Sequence, residues 1–126
     1  MQSSNSGNLK FPLGSYNGYT ELIKCRISII IDLIRENKIK EAEKGIATLA
    51  LELIYEIEKN YLKAETADKY FTLLDIVIGD NFPEIEFSEE IKNIIIEGMT
   101  LHDLGSSFGP NLVDLKESIK AFNDTK

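Results

Sequence analysis

The chain is poor in the residues from which active sites and cross-links are built. It has one cysteine, one histidine, two arginines and no tryptophan. The lone Cys25 has no second cysteine to pair with, and it lies in an apolar helical stretch, where it reads as a buried thiol acting as a small hydrophobe. A reactive thiol would need an electropositive, partly exposed setting and a base. Long apolar runs are also missing: no unbroken run exceeds three residues. A bilayer span needs about 20, so a spanning helix is excluded and no membrane partner is expected. The N-terminal Met-Gln-Ser-Ser-Asn-Ser has neither the basic start nor the apolar core of a signal peptide, which predicts a cytoplasmic setting.

What is present is the composition of an ordinary globular domain. The 126 residues are 43% apolar and 28% charged, which points to one core. A chain of this size buries about two-thirds of its unfolded surface, so it needs neither a disulfide nor a structural metal. The net charge of -7 is unevenly placed. Residues 1–63 carry nine Lys/Arg against eight Asp/Glu, and residues 64–126 carry five against thirteen, giving +1 and -8. Nucleic-acid backbones and anionic membranes require clustered positive charge. The C-terminal half is therefore suited to a basic protein partner and poorly suited to nucleic acid.

Residues 1–18 hold three glycines, one proline and a single charge at Lys10, and read as a flexible N-terminal arm. Within it Leu9, Phe11 and Leu13 alternate with Lys10 and Pro12, a short extended pattern. Residues 19–126 read as one all-α domain, a five-helix orthogonal or up-down bundle built on a long antiparallel hairpin. Ile23, Ile27, Ile30 and Ile34 form a helical stripe that Leu22, Ile31 and Leu33 widen until little of the circumference is polar. Such a helix should be central, and its excess apolar surface predicts a homo-oligomer. Asn37, tolerant of the left-handed conformation, ends it. A second stripe runs from Ile39 through Ala42, Ile46, Leu49, Leu53 and Ile57 to near Asn60, so two long helices joined by a short link should pack antiparallel.

A third helix follows from Ala67, Tyr70, Phe71, Leu74, Val77 and Ile78, with Thr66 as a cap and Gly79 as its stop. Asp80 to Phe87 reads as a loop. Ser88 caps a fourth helix, with Glu89 and Glu90 in its first turn, where the helix dipole favours carboxylates. Its apolar positions are Ile91, Ile94, Ile95, Met99 and Leu101, and Leu104-Gly105 closes it. The last helix is expected to start at Asn111 as N-cap with Asp114 at the third helical position, a relative of the capping box, and to bury Leu112, Leu115, Ile119 and Phe122.

Two family comparisons arise from these elements. The segment from Leu33 to Ala42 resembles the inter-helix turn of a tetratricopeptide unit, but that pattern should return after about 34 residues and does not. A small helical bundle with a histidine near the end of a late helix, as His102 is here, resembles HEPN-type domains. That likeness implies handling of nucleotide or RNA, with His102 acting. The family's signature places an arginine shortly before the histidine, whereas the arginines here are Arg26 and Arg35, far upstream. The resemblance is therefore architectural, and fold alone does not confer an activity.

Two segments remain where function has a foothold. His102, Asp103 and Ser106 gather an imidazole, a carboxylate and a hydroxyl at a helix-to-turn junction, a candidate acid–base site. A structural role outweighs it: a histidine in a last turn suits the helix dipole, and Gly105 supplies a left-handed cap. Glu97 and His102 diverge by about 140° around a regular helix and cannot share an ion, and no metal site or cofactor is expected. The second segment, Asp80 to Glu90, carries five acids and no base. Phe82, Glu84, Glu86 and Phe87 mix apolar and acidic groups in the way a docking surface for a basic, apolar partner requires. As a plain connecting loop, the same segment would tuck its aromatics inward and turn its acids to water.

Overall fold

The computed structural model describes residues 18–101, 103 and 108–125, and among them every regular element is a helix. The five are α1 (Gly18–Arg35), α2 (Ile39–Glu58), α3 (Ala64–Asn81), α4 (Glu89–Met99) and α5 (Phe108–Thr125). They contribute to one buried cluster that contains the stripes read from the sequence. Ile23, Ile27, Ile30 and Ile34 face inward from α1, and Leu112, Leu115, Ile119 and Phe122 from α5. Burying each such aliphatic side chain contributes about 1.5–3 kcal/mol, so the three-and-four spacing carries most of the fold's free energy.

Two asparagines end the first two helices by the same device. Asn37 and Asn60 adopt φ of 64° and 66°, the left-handed region that asparagine tolerates better than most residues. After α1 the N–H of Asn37 donates to Ile34 and that of Lys38 to Leu33. After α2 the N–H of Asn60 donates to Ile57 and that of Tyr61 to Glu56. These are the paired bonds of a Schellman motif, which satisfy carbonyls a helix end would otherwise leave open.

Cross-links hold α2 to its neighbours. Arg26 of α1 grips Glu52 of α2 through both guanidinium branches, at 2.8 and 2.9 Å, the planar fork matching the carboxylate. Closer to the turn, Ile30 packs over Gly45, where an added Cβ would lie 3.1 Å from Ile30 Cγ1. Lys116 of α5 donates to Glu58 of α2 at 2.7 Å, and this bond holds the lysine above its ordinary pKa.

Several boundaries differ from those the sequence predicts. Gly79 does not stop α3; the helix runs on to Asn81, because Asn81 Nδ2 donates back to the Val77 carbonyl at 2.8 Å and the Phe82 N–H to Ile78. The cap residue of α3 is Lys63, not Thr66, and its side chain makes no capping bond. Asn111 is not the start of α5, which begins three residues earlier at Phe108. Pro110 fits that first turn because its missing N–H would have had no partner there. α4 closes at Thr100, ahead of Leu104-Gly105. Ser88 does cap it: the Ile91 N–H donates to Ser88 Oγ at 3.4 Å. The predicted arm, apart from Gly18, lies outside the described residues, as does the 104–105 pair.

α1 is not uniformly enclosed either. Its inner side is buried, but Leu22 and Ile29 are more than half exposed, and Cys25 is exposed rather than buried. The reason is angular. Cys25 lies about 200° around the helix from Ile23, so the stripe that buries Ile23 turns Cys25 outward.

Candidate functional site

α3 and α4 meet closely at one end and part at the other. Where they meet, Gly98 of α4 is buried against Phe71 of α3, and any Cβ at Gly98 would run into the Phe71 ring. Where they part, the chain between them folds back through a turn closed by the Ile85 N–H on the Phe82 carbonyl at 3.2 Å. The result is a groove of about 290 Å³. Its walls are Ile78, Phe82, Ile85, Phe87, Ile95 and Ile96, and at Gly79 the α3 wall has no side chain at all. An added Cβ there would meet nothing within 4 Å.

Phe82 and Phe87, two of the docking residues read from the sequence, are thus brought together on one surface. Both are half-buried, which suits a groove better than either a sealed core or a free loop. Glu84 and Glu86 do not line it. They stand exposed on the same connecting segment, between and beside the two aromatics. Half-buried aromatics with the acids turned to water is the arrangement a plain connecting loop has as well.

The rim is acidic and its one cation is engaged. Asp75 and Lys92 are the titratable groups that line the groove. Lys92 Nζ donates to Glu86 at 2.6 Å and to Glu89 at 3.3 Å. The hydrogen bond from Lys92 holds the Glu86 carboxyl below its ordinary range, and the bonds to Glu86 and Glu89 hold the Lys92 ammonium above its own. With Lys92 held by Glu86 and Glu89, Asp75 on the wall and Glu84 on the adjoining segment leave the surroundings net negative.

One residue that positions the site has no counterpart in the sequence reading. Glu43 of α2 is buried, and its Oε2 accepts the Ser88 N–H at 2.7 Å. That bond ties the start of α4, and with it the Phe82–Phe87 segment, to the central helix. The signal was available: Glu43 falls on the apolar face of α2 with Ile39, Ile46 and Ala50, where an unpaired carboxylate would be costly.

The other candidate set is only partly described. His102 and Ser106 lie outside the described residues. Asp103 is exposed, and its backbone N–H donates to the Thr100 carbonyl at 3.1 Å. Among the described residues, no three of His, Cys, Asp and Glu gather closely enough to hold a metal ion, and no helix is long and apolar enough to cross a membrane. Comparison with protein-family models, with curated proteins and with solved structures gives no match, so the chain's own residues carry the functional reading.

Proposed function

We propose that this chain is a non-catalytic protein-interaction module whose α3–α4 groove takes a short basic, apolar segment of a partner protein, in a cytoplasmic setting. In this reading α1 and α2 form the antiparallel hairpin on which the rest of the bundle is built. The observation that supports it is the groove itself: seven large aliphatic and aromatic side chains, a wall left bare at Gly79, and surrounding acids beside a lining cation, Lys92, that is held by Glu86 and Glu89. Its volume sits at the lower end of ligand pockets, the right scale for one or two inserted side chains. Desolvating Phe82, Ile85 and Ile96 supplies the affinity, and the acids select the sign of the partner and speed its approach.

The test uses a fluorescein-labelled amphipathic helical peptide of leucine and lysine, titrated with the full chain by fluorescence anisotropy. A control peptide carries glutamate in place of lysine. The reading expects saturable binding of the lysine peptide, weakening with added salt, and at least about tenfold weaker binding of the control. Gly79→Leu, which fills the groove from its bare wall, should weaken the lysine peptide by a similar factor without lowering the melting temperature. Equal affinity for both peptides, or indifference to Gly79→Leu, would overturn the reading.

A further inference from the structure

A second cleft, of about 300 Å³, opens between the first turns of α1 and the C-terminal half of α2. Ile23, Leu49 and Leu53 form its buried floor, and Leu22 stands at its edge with half its surface exposed. Arg26, Glu52 and Glu56 are its titratable groups. Arg26 and Glu52 neutralise one another in their bidentate pair, so Glu56 leaves the cleft with one net negative charge.

What can reach this cleft is set by where α1 begins. The helix starts at Gly18, and Leu22 and Arg26 lie about 6 and 12 Å along its axis from there. Upstream is the alternating stretch Leu9-Lys10-Phe11-Pro12-Leu13, which lies outside the described residues. Five peptide steps join Leu13 to Gly18, a reach of up to about 17 Å, and the cleft falls within it. The α3–α4 groove is farther off: its connecting segment is tied to α2 at Glu43, about 20 Å along that helix from Glu56. The chemistry of the stretch suits the cleft. In extended backbone Leu9, Phe11 and Leu13 project to one side about 7 Å apart, and the cleft has the volume for one or two such side chains. Pro12 fixes its own φ and biases Phe11 toward extended backbone, which lowers the entropy lost on docking. Lys10 is the only charged side chain among the first 18 residues, and its sign is opposite to that of the cleft.

From tether, shape and charge together we infer that residues 9–13 dock within their own molecule in the α1–α2 cleft, with Phe11 as the anchor over Leu49 and Leu53. Docking covers the exposed flank of Leu22. It also takes water from around the Arg26–Glu52 pair, whose attraction grows as the local dielectric falls. This docking does not rest on the α3–α4 groove, and neither surface needs the other.

Limited trypsin digestion of the whole chain, followed by mass spectrometry, reads the docking at the Lys10–Phe11 bond. Cleavage there tracks the undocked fraction, so Leu22→Ser, which removes the edge of the cleft far from that bond in sequence, should speed it about tenfold. Glu56→Gln should speed it by a smaller factor. Val113→Ser on α5 alters a side chain about as exposed as Leu22 and should leave the rate unchanged. Leu22 is outside the core, so an unchanged far-UV circular dichroism spectrum serves as the folding control. NMR of the full chain should show nuclear Overhauser contacts from the Phe11 ring to methyl groups of Leu22, Leu49 or Leu53. In an equal mixture of labelled and unlabelled chains these contacts should stay within one molecule. Absence of such contacts, or cleavage at Lys10 indifferent to Leu22→Ser, would overturn the docking; contacts passing between labelled and unlabelled chains would overturn its intramolecular form.

Discussion

The two ends of the α3–α4 pair carry one glycine each, and the glycines do opposite things. At Gly98 the missing side chain lets α4 settle on the Phe71 ring; at Gly79 it leaves a wall open to solvent. Both sit in helices, where glycine costs about 0.5–1 kcal/mol relative to alanine. At Gly98 that cost is offset by packing which no other residue allows. At Gly79 no packing among the described residues offsets it, and under the proposed reading the open wall is where a partner's side chain would enter. The difference teaches that a helix pair can be closed at one end to fix its geometry and left apart at the other to keep a surface free.

The largest effect should come from the closed end. Phe71 is almost fully buried, and Phe71→Ala is expected to lower the unfolding free energy by about 3–5 kcal/mol in urea denaturation. Gly98→Ala overpacks the same contact and should cost about 1–3 kcal/mol. Combining Gly98→Ala with Phe71→Leu should cost less than the sum of the two, since the smaller side chain relieves the clash; strict additivity would mean that Gly98 and Phe71 do not define the crossing. At the open end, Glu43→Ala strands the Ser88 N–H and should cost about 1–3 kcal/mol, with Glu43→Gln milder because it keeps an acceptor. Hydrogen exchange should then quicken from Phe82 to Ser88 more than in α5.

The smallest changes lie at Gly79 and Glu86. Gly79→Ala should stabilise the chain by about 0.5–1 kcal/mol, the reverse of Gly98→Ala, because its backbone is already helical and its Cβ meets nothing. The Glu86–Lys92 bond predicts a pH dependence whose sign follows from the lowered Glu86 pKa. The bond's contribution is complete above the ordinary carboxylate pKa and is lost as the pH falls through the lowered one. A carboxyl carbon titration by NMR should show Glu86 ionising below the ordinary glutamate range, and Lys92→Met should move it back toward that range.

How much of this was legible in the sequence depends on the kind of signal. Apolar spacing placed the inward faces of α1 and α5, because burial repeats with the helical period and needs no knowledge of neighbours. Asn37 and Ser88 were legible too, since left-handed backbone and N-capping restrict residue choice locally. The starts of α2 and α3 are capped by Lys38 and Lys63 without side-chain bonds, so no local chemistry marks them. Gly98 was opaque for a different reason: its role is set by Phe71, 27 positions earlier in the chain, and a helical glycine shows only its propensity cost. The same applies to Gly79, whose place after an apolar run mimics a helix stop. At the site, the aromatic and acidic composition of residues 80–90 was visible, but the groove needed α4 to bring Ile91, Ile95 and Ile96 alongside it.

The most direct test of the account is an amide NMR titration of the full chain with the unlabelled leucine–lysine peptide. Shifts concentrated at Ile78, Gly79, Phe82, Ile91, Ile95 and Ile96, with α1 and α5 unmoved, are the predicted result. Shifts centred elsewhere in the chain, or none at saturating peptide, would contradict it.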